Sequence, residues 1–383
     1  MARVGVLGLA VTAMVLVAAC AGEGPPPASP LSVAPLPTAA PTPTAGAPSP
    51  SAAPPEATPT PSPSVVTLAA VGDVMLGRGV GDLARDQGRR YPLAEVAGVL
   101  GRADIAFANL EAPLTDVGRP QVKDFVFRAD PASADALAWS GIDVVSLANN
   151  HAMDYGGQGL LATIDALDEA GIDHVGAGAD GGDAYRPLVV TVRGLRIAFL
   201  AYVNVPDDSV SGFSTRGVAA GPSAPGVAWG TAQTIGRDVE RARVMADLVV
   251  VSLHSGYEYQ EMPNDLQVEL AHAAVDAGAH LVLGHHPHVL QGLESYGDGL
   301  IAYSLGNFVF DLDETDYAQP GLPSALSAVL MVTLGRQGVE GYEVVPVRID
   351  PAEGRPLLAE GEAARPVRER LERLSALLET SEP

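Results

Sequence analysis

The stretch VVSLANNHAMDYG, residues 144–156, opens as an apolar, β-branched run and then breaks into Asn149-Asn150-His151, with Asp154 close behind. Val144–Ala148 has the length and composition of a buried strand. Its end delivers amides, an imidazole and a carboxylate to one point. The same ending recurs along the chain. A strand over Val65–Val71 ends in Gly72-Asp73, and one over Ile105–Ala108 ends in Asn109-Leu110-Glu111. Leu248–Leu253 runs into His254, and His280–Leu283 runs into Gly284-His285-His286-Pro287-His288. Leu300–Leu305 runs into Gly306-Asn307. In an α/β sheet, ligands bind beyond the carboxyl ends of the strands. Strands that all end in Asp, Glu, Asn or His therefore aim their donors at one place. Oxygen and nitrogen donors without a thiolate suit two hard or borderline divalent cations: manganese, iron or zinc.

Between these strands lie segments with helical spacing: Pro92–Leu100, Pro131–Ser140, Gln158–Ala170, Thr231–Ala246 and Asp265–Ala277. Strand alternating with helix is the signature of βαβ units and an α/β fold. A further strand at Arg196–Val203 joins the set, and Ala325–Leu334 with Tyr342–Ile349 reads as a hairpin turning at Gly335–Gly338. The sequence after Glu360 reads as a charged helix on the surface. There is no internal repeat.

Each polar ending has an ordinary reading when taken alone. Asp73 suits a helix cap or turn, Asn150 a turn, Glu111 a solvated loop, and His254 a satisfied structural histidine. His286-Pro287-His288 is harder to dismiss, because proline fixes the backbone between two imidazoles and Gly284 permits close approach. His285 reads as a spare neighbour, and His174, His272 and His280 receive no role.

The ends of the chain add a location. Arg3 precedes an apolar run, Val4–Val17, too short to cross a bilayer comfortably and suited to a signal peptide. It leads to Val17-Ala18-Ala19-Cys20, and this Cys is the only one in the sequence. The arrangement resembles a bacterial lipobox, in which residues 1–20 direct export and Cys20 is lipidated. An ordinary signal peptide with a chance cysteine is the alternative. Residues 21–64 are rich in Pro, Ala, Ser and Thr and read as an extended tether. The globular region is expected over 65–360, with a charged tail over 361–383. The net charge of −23 repels nucleic-acid backbones, and no basic cluster in the sequence offsets it. No GxxxxGK[ST] motif is present, which argues against ATP-driven ligation by this chain alone.

Taken together, GDVMLGR, NLEAPLT, SLANNHAMDYG, HSGYEY, GHHPHVLQ and YSLGNFVFD resemble the CapA, or poly-γ-glutamate capsule biosynthesis, family over about Leu68–Phe310. That family is part of the calcineurin-like metallophosphoesterase superfamily. The resemblance implies a four-layer α-β-β-α sandwich with a dinuclear metal site at the sheet edge. It implies that Asp73 and His288 bind one cation, that Asn150, His254 and His286 bind the other, and that Glu111 bridges them. His151 takes the place of the proton donor to the leaving group, held by Asp154. Arg78, Asn109, Glu258 and Asn307 fall at positions near the pocket, facing substrate or supporting the ligands. The superfamily's first motif carries an imidazole where this chain has Met75, which puts the first cation in doubt.

Two functions follow from these readings. One is a lipid-anchored, extracytoplasmic metallohydrolase that acts on an anionic envelope polymer or a phosphoester, with capsule-synthesis membrane proteins as partners. The other is a non-catalytic lipoprotein that binds such a polymer through a degenerate site. With so acidic a surface, a metal or an arginine-lined pocket has to make that contact.

Overall fold

The computed structural model describes residues 64–207 and 214–380. The expected signal peptide, Cys20 and the tether up to residue 63 lie outside the described residues. Among the described residues, no helix is long and apolar enough to cross a membrane.

The chain begins with strand β1 (Val66–Val74), helix α1 (Arg78–Gln87), a 3-10 turn at Tyr91–Leu93, helix α2 (Ala97–Leu100) and β2 (Ile105–Leu110). It continues through α3 (Ser133–Ser140), β3 (Val144–Ser146), α4 (Gly156–Ala170) and β4 (Asp173–Val175). Next come β5 (Ala177–Gly178), α5 (Gly181–Ala184), β6 (Leu188–Val192), β7 (Leu195–Asn204) and β8 (Gly226–Val227). The second half holds α6 (Ala232–Met245), β9 (Leu248–Ser255), α7 (Asp265–Asp276), β10 (Leu281–His285), β11 (Leu293–Tyr296) and β12 (Gly299–Ala302). Last are β13 (Asn307–Val309), α8 (Glu314–Ala318), β14 (Leu326–Gly335), β15 (Gly338–Ile349), β16 (Pro356–Leu358) and α9 (Arg365–Thr380).

Two mixed sheets form the centre. The first runs β16-β15-β14-β1-β2-β3-β4, with β13 beside the end of β1; the second runs β11-β12-β10-β9-β7-β6. Successive side chains of a strand point to opposite faces, and β1 puts this to use. Leu68 and Ala70 face the second sheet, in one cluster with Phe107, Ile197, Phe199, Val250 and Leu283. Ala69 and Val71 face helices, in a cluster with Val80, Val99, Leu137 and Leu160. Phe107 and Phe199 stack across the two sheets with centroids 5.8 Å apart. On the far face, Val249 and Val251 pack against Ile235 and Val239 of α6 and Leu270 of α7. The layers are thus helix, sheet, sheet, helix: the four-layer α-β-β-α sandwich.

Short elements such as β4, β6, β11 and β16 were not read from the sequence, and four larger departures stand beside them. Pro92–Leu100 is not one helix but a 3-10 turn and a single helical turn, since Val96, Gly98 and Val99 propagate a helix poorly. The Leu300–Leu305 run is a strand only to Ala302. Gly306 then adopts φ +64°, a turn that glycine makes without strain, and Asn307 joins the first sheet in β13. Helix α1 was not expected, because RGVGDLARDQ contains two glycines and two aspartates and few apolar residues. Finally, α9 is not a solvated tail. Val367 and Leu371 are buried with Leu290, Leu326 and Ala328, and Arg370 is buried as well.

Candidate metal centre

The strand ends converge because of register. Asp73 at the end of β1 lies level with Asn109 of β2 on one side and Asn307 of β13 on the other. In the second sheet, His254 at the end of β9 is level with His285 of β10. Two glycines make room where the chain passes between these ends. A Cβ on Gly72 would stand 1.9 Å from the Gly306 carbonyl oxygen, and one on Gly284 would stand 1.9 Å from that of Tyr303. After β10, His286 and His288 adopt φ +96° and +57°. Such values are rare outside glycine and are kept where surrounding structure enforces them, often at functional sites.

Six side chains expected to hold metal come together here. Asp73, Glu111 and His254 can bring one atom each within 4.8 Å of one another, and so can Glu111, His286 and His288. Asn150 Oδ1 lies 2.8 Å from His254 Nε2. Glu111 belongs to both groups. This division exchanges His254 and His288 relative to the expected one. Even so, His288 Nδ1 is 3.4 Å from Asp73 Oδ2 and the His254 and His286 rings are 4.9 Å apart. The donors form one cluster, not two separate pairs.

All of these groups are buried. Both carboxylate oxygens of Glu111 and both ring nitrogens of His286 lack a hydrogen-bond partner among the described residues. A buried polar group without a partner is costly, and a cation removes that cost for carboxylate and imidazole together. The donor set fits a divalent metal. Its electrostatics agree. Burial first, and then the neighbouring rings, push His254 well below its ordinary value; burial and His288 bring His286 down to about 3. Both rings are therefore neutral, the form that ligates a metal. Burial would raise Asp73, but the His285 and His288 rings beside it prevail and hold it well below the usual carboxylate range. Burial, and then the Asp73 charge, push Glu111 well above that range. Against its own burial, His288 is held high by Glu111 and Asp73.

The remaining expected residues support this cluster. Asn109 Nδ2 donates to Asp73 Oδ1 at 2.9 Å, and Asn307 Oδ1 lies 2.8 Å from His288 Nδ1. His151 Nδ1 is 2.8 Å from Asp154 Oδ2. Lys123 Nζ lies 3.2 Å from the same ring nitrogen, but the shorter contact is to a carboxylate, which only accepts, and so places a proton on Nδ1. Arg78 pairs with Asp311 at 3.2 Å and lies over the Phe127 ring. A cavity of about 130 Å³ forms the mouth of the centre and is lined by Arg78, Phe127, His151, Glu258, Tyr259 and His288. Glu258 thus sits at the mouth and in neither donor group.

Three further residues escaped the sequence reading. Lys123, the only lysine in the sequence, donates to the Asn150 carbonyl at 2.9 Å and lies 2.5 Å from Asp154 Oδ1. Its being the one lysine was a signal that could have singled it out. Phe127 stacks on the His151 ring at 4.0 Å, and its backbone N–H donates to Asp154 Oδ2 at 2.6 Å. His285, read as a spare neighbour, is wholly buried with Nδ1 3.3 Å from Asp73 Oδ1. It sets one more imidazole beside Asp73. His174, His272 and His280 lie elsewhere; His272 stacks on Tyr296, and His280 Nδ1 accepts from the Val249 backbone.

Residues 67–312 match the family model described as bacterial capsule synthesis protein PGA_cap. The chain belongs to that family. With it comes membership of the metallophosphoesterase-like superfamily, whose α/β architecture the two sheets and their outer helices reproduce. Among PGA_cap relatives, the capsule biosynthesis protein CapA of Bacillus anthracis is 35% identical over 300 residues, 76% of this chain and 69% of that one. The PGA biosynthesis protein CapA of Bacillus subtilis is 35% identical over 296 residues, 76% of this chain and 74% of that one. A probable polyglutamine synthesis accessory protein of Mycobacterium tuberculosis is 33% identical over 293 residues, 65% of this chain and 75% of that one.

Proposed function

We propose that this PGA_cap protein is a metal-dependent hydrolase that processes an anionic envelope polymer of the poly-γ-glutamate type during capsule synthesis. It would work outside the cell membrane, anchored through Cys20 and alongside membrane proteins of capsule synthesis. The observation that carries the hydrolase reading is Glu111. Its carboxylate is fully buried, has no hydrogen-bond partner among the described residues, and belongs to both donor groups. The relatives named for capsule and polyglutamate synthesis support the polymer.

Asp73, Glu111, Asn150, His254, His286 and His288 would hold two divalent cations. When bound, these would activate water and neutralise charge on the scissile group. The chain's own part is to orient and move a proton. Asp154 fixes the His151 ring through the Nδ1 proton, so Nε2 is the atom that exchanges a proton with the substrate. Burial, and then the Lys123 charge, lower His151 to about 4. His151 therefore rests neutral; at Nε2 it would take the proton that the attacking water gives up and pass it to the leaving atom. Phe127 covers the ring and keeps bulk water from it.

One observation favours the second reading, a binding protein without catalysis: Met75 stands where the superfamily has a ligand. His285 beside Asp73 weakens that objection. The deciding experiment is elemental analysis of the purified chain and of His286→Ala after manganese, iron or zinc loading. Hydrolysis of a phosphodiester and of a γ-glutamyl amide is read on the same samples. Two metals per chain, lost in the variant together with one of these activities, is the expected result. A chain that takes up no metal leaves the polymer-binding reading in its place.

A further inference from the structure

Helix α1 starts at Arg78, in the mouth of the metal centre, and leads away from it. Its 10 residues span about 15 Å. A groove of about 520 Å³ follows it, lined by Arg78, Arg85, Arg89 and Arg128. Gly81, Ala84 and Gly88 fall between the arginines on the same face and also line the groove. These small residues leave room for a ligand's backbone to lie against the helix. Beyond Gly88 and Arg89 the groove opens into a second cavity of about 530 Å³, bordered by Arg90. Arg78 lines both mouth and groove, so the groove adjoins the mouth of the metal centre.

This concentration of positive charge stands out on a chain of net charge −23. The carboxylates that line the two cavities are Asp130 and Asp135. Asp82 pairs with Arg85, and Asp311 with Arg78. Among the described residues, no carboxylate forms an ion pair with Arg89, Arg90 or Arg128. Arg128 instead lies over the Tyr155 ring at 5.1 Å and Arg90 over Trp139 at 5.0 Å. Stacking orients a guanidinium and leaves its N–H edge free for an acceptor.

We propose that this groove seats an extended polycarboxylate chain, held in register by Arg78, Arg85, Arg89 and Arg128 while one of its bonds reaches the metal centre. The last clause rests on the hydrolase reading above; the binding does not. Multivalence decides the ligand class. An exposed arginine–carboxylate pair contributes about 1 kcal/mol or less, so a single small anion is held weakly. A chain that meets four arginines in succession adds their contributions within one binding event. An extended peptide advances about 3.4 Å per residue, so roughly four acidic residues cover α1. The overall negative charge acts against binding at a distance. Within a Debye length of about 8 Å the local arginines prevail.

The test is fluorescence anisotropy of a labelled glutamate decamer on the purified full chain, at low and at physiological salt. Wild type is compared with R85E/R89E, with Arg128→Gln on the other side of the groove, and with R365E/R368E as a remote exposed control on α9. Thermal unfolding verifies that each is folded. We expect R85E/R89E to weaken binding about tenfold or more and to flatten its salt dependence, Arg128→Gln to weaken it less, and the control to match wild type. No binding by wild type, or undiminished binding by both groove variants, overturns the proposal. So does an equal loss in the control, which assigns the effect to overall charge. Manganese content of the same samples separates the two readings. Metal retained without decamer binding removes the groove alone, and decamer bound without metal removes the hydrolase alone.

Discussion

Lys123 Nζ lies 2.5 Å from Asp154 Oδ1, and both side chains are 1% exposed. A buried ion pair of this kind does little for net stability, but removing one partner strands the other. Lys123→Met is expected to lower the unfolding free energy by about 3–5 kcal/mol in urea titrations. It should also slow turnover more for poor leaving groups than for good ones, because Asp154 then no longer fixes the His151 ring. Equal slowing for both classes would mean that the lysine serves the fold alone.

Glu111→Gln is expected to act with opposite signs on the two forms of the protein. Burial and the Asp73 charge push the Glu111 carboxyl well above its ordinary value, so a neutral amide suits the metal-free cluster at least as well. The metal-free variant should melt at or above the wild-type temperature. Added manganese should raise the wild-type midpoint, by linkage of binding to folding, and leave the variant where it was. A wild-type midpoint indifferent to every metal tried would count against the centre.

The histidines set the acid limb of stability. His151, His174, His254, His280 and His286 all lie below their ordinary value, with burial the largest cause in each. The unfolded chain protonates such rings near 6.5, while His151 and His286 wait until about 4 and about 3 in the fold. Over that interval the unfolded state binds more protons, so stability falls as pH falls. His288 runs the other way, but its raised value acts above pH 6.5 and is constant below it; the raised Glu111 carboxyl offsets part of the loss in the upper part of the interval. The melting temperature of the metal-free chain should therefore drop steadily from pH 6.5 to 4. A flat profile there would be inconsistent with rings buried in neutral form.

Gly284→Ala places its Cβ 1.9 Å from a backbone oxygen of Tyr303, which cannot yield as a side-chain tip would. A loss on the order of 3 kcal/mol is expected, with a displaced His286 and weaker metal uptake. Gly98→Ala is the matched control: nothing lies within 4 Å of its Cβ, and it should stabilise α2 by about 0.5–1 kcal/mol. Circular dichroism melts of the two variants should move in opposite directions.

Arg370 on α9 donates to the Leu290 carbonyl at 2.9 Å and pairs with Glu261 at 2.7 Å, where Arg373 also binds. Glu261 follows Glu258 and Tyr259 at the mouth of the centre. Arg370→Ala should cost about 2 kcal/mol, the size of a charged hydrogen bond lost. It should raise KM more than it lowers kcat, since the loop it braces touches the cavity and not the metal ligands. An unchanged KM would confine α9 to a structural role.

The strands and their polar endings were legible in the sequence because both are local. A buried strand writes an apolar run, and Asp73, Glu111, Asn150, His254, His286 and His288 each stand at or just beyond the end of one. The helices with clear apolar spacing, α4, α6 and α7, were legible for the same reason. Helix α1 was not, since two glycines and two aspartates lower its helix propensity and only a few apolar residues mark its inner face. Lys123 and Phe127 were not either, because they lie in an irregular segment with no period to read. They meet Asp154 only when that segment folds across it.

By itself, then, the order of residues determined that this chain builds parallel strands and ends them in metal donors of oxygen and nitrogen type. Tertiary structure decided which atoms meet. Sheet register placed Asp73 between Asn109 and Asn307. The turn at Gly306 carried β13 from one sheet to the other, and burial kept the His254 and His286 rings neutral and left the Glu111 carboxylate without a hydrogen bond among the described residues. Pattern is local, while register, burial and charge coupling depend on residues brought together from more than a hundred positions apart. The sequence places Asn150 and His254 far from each other, and only the packed sheets bring them to 2.8 Å.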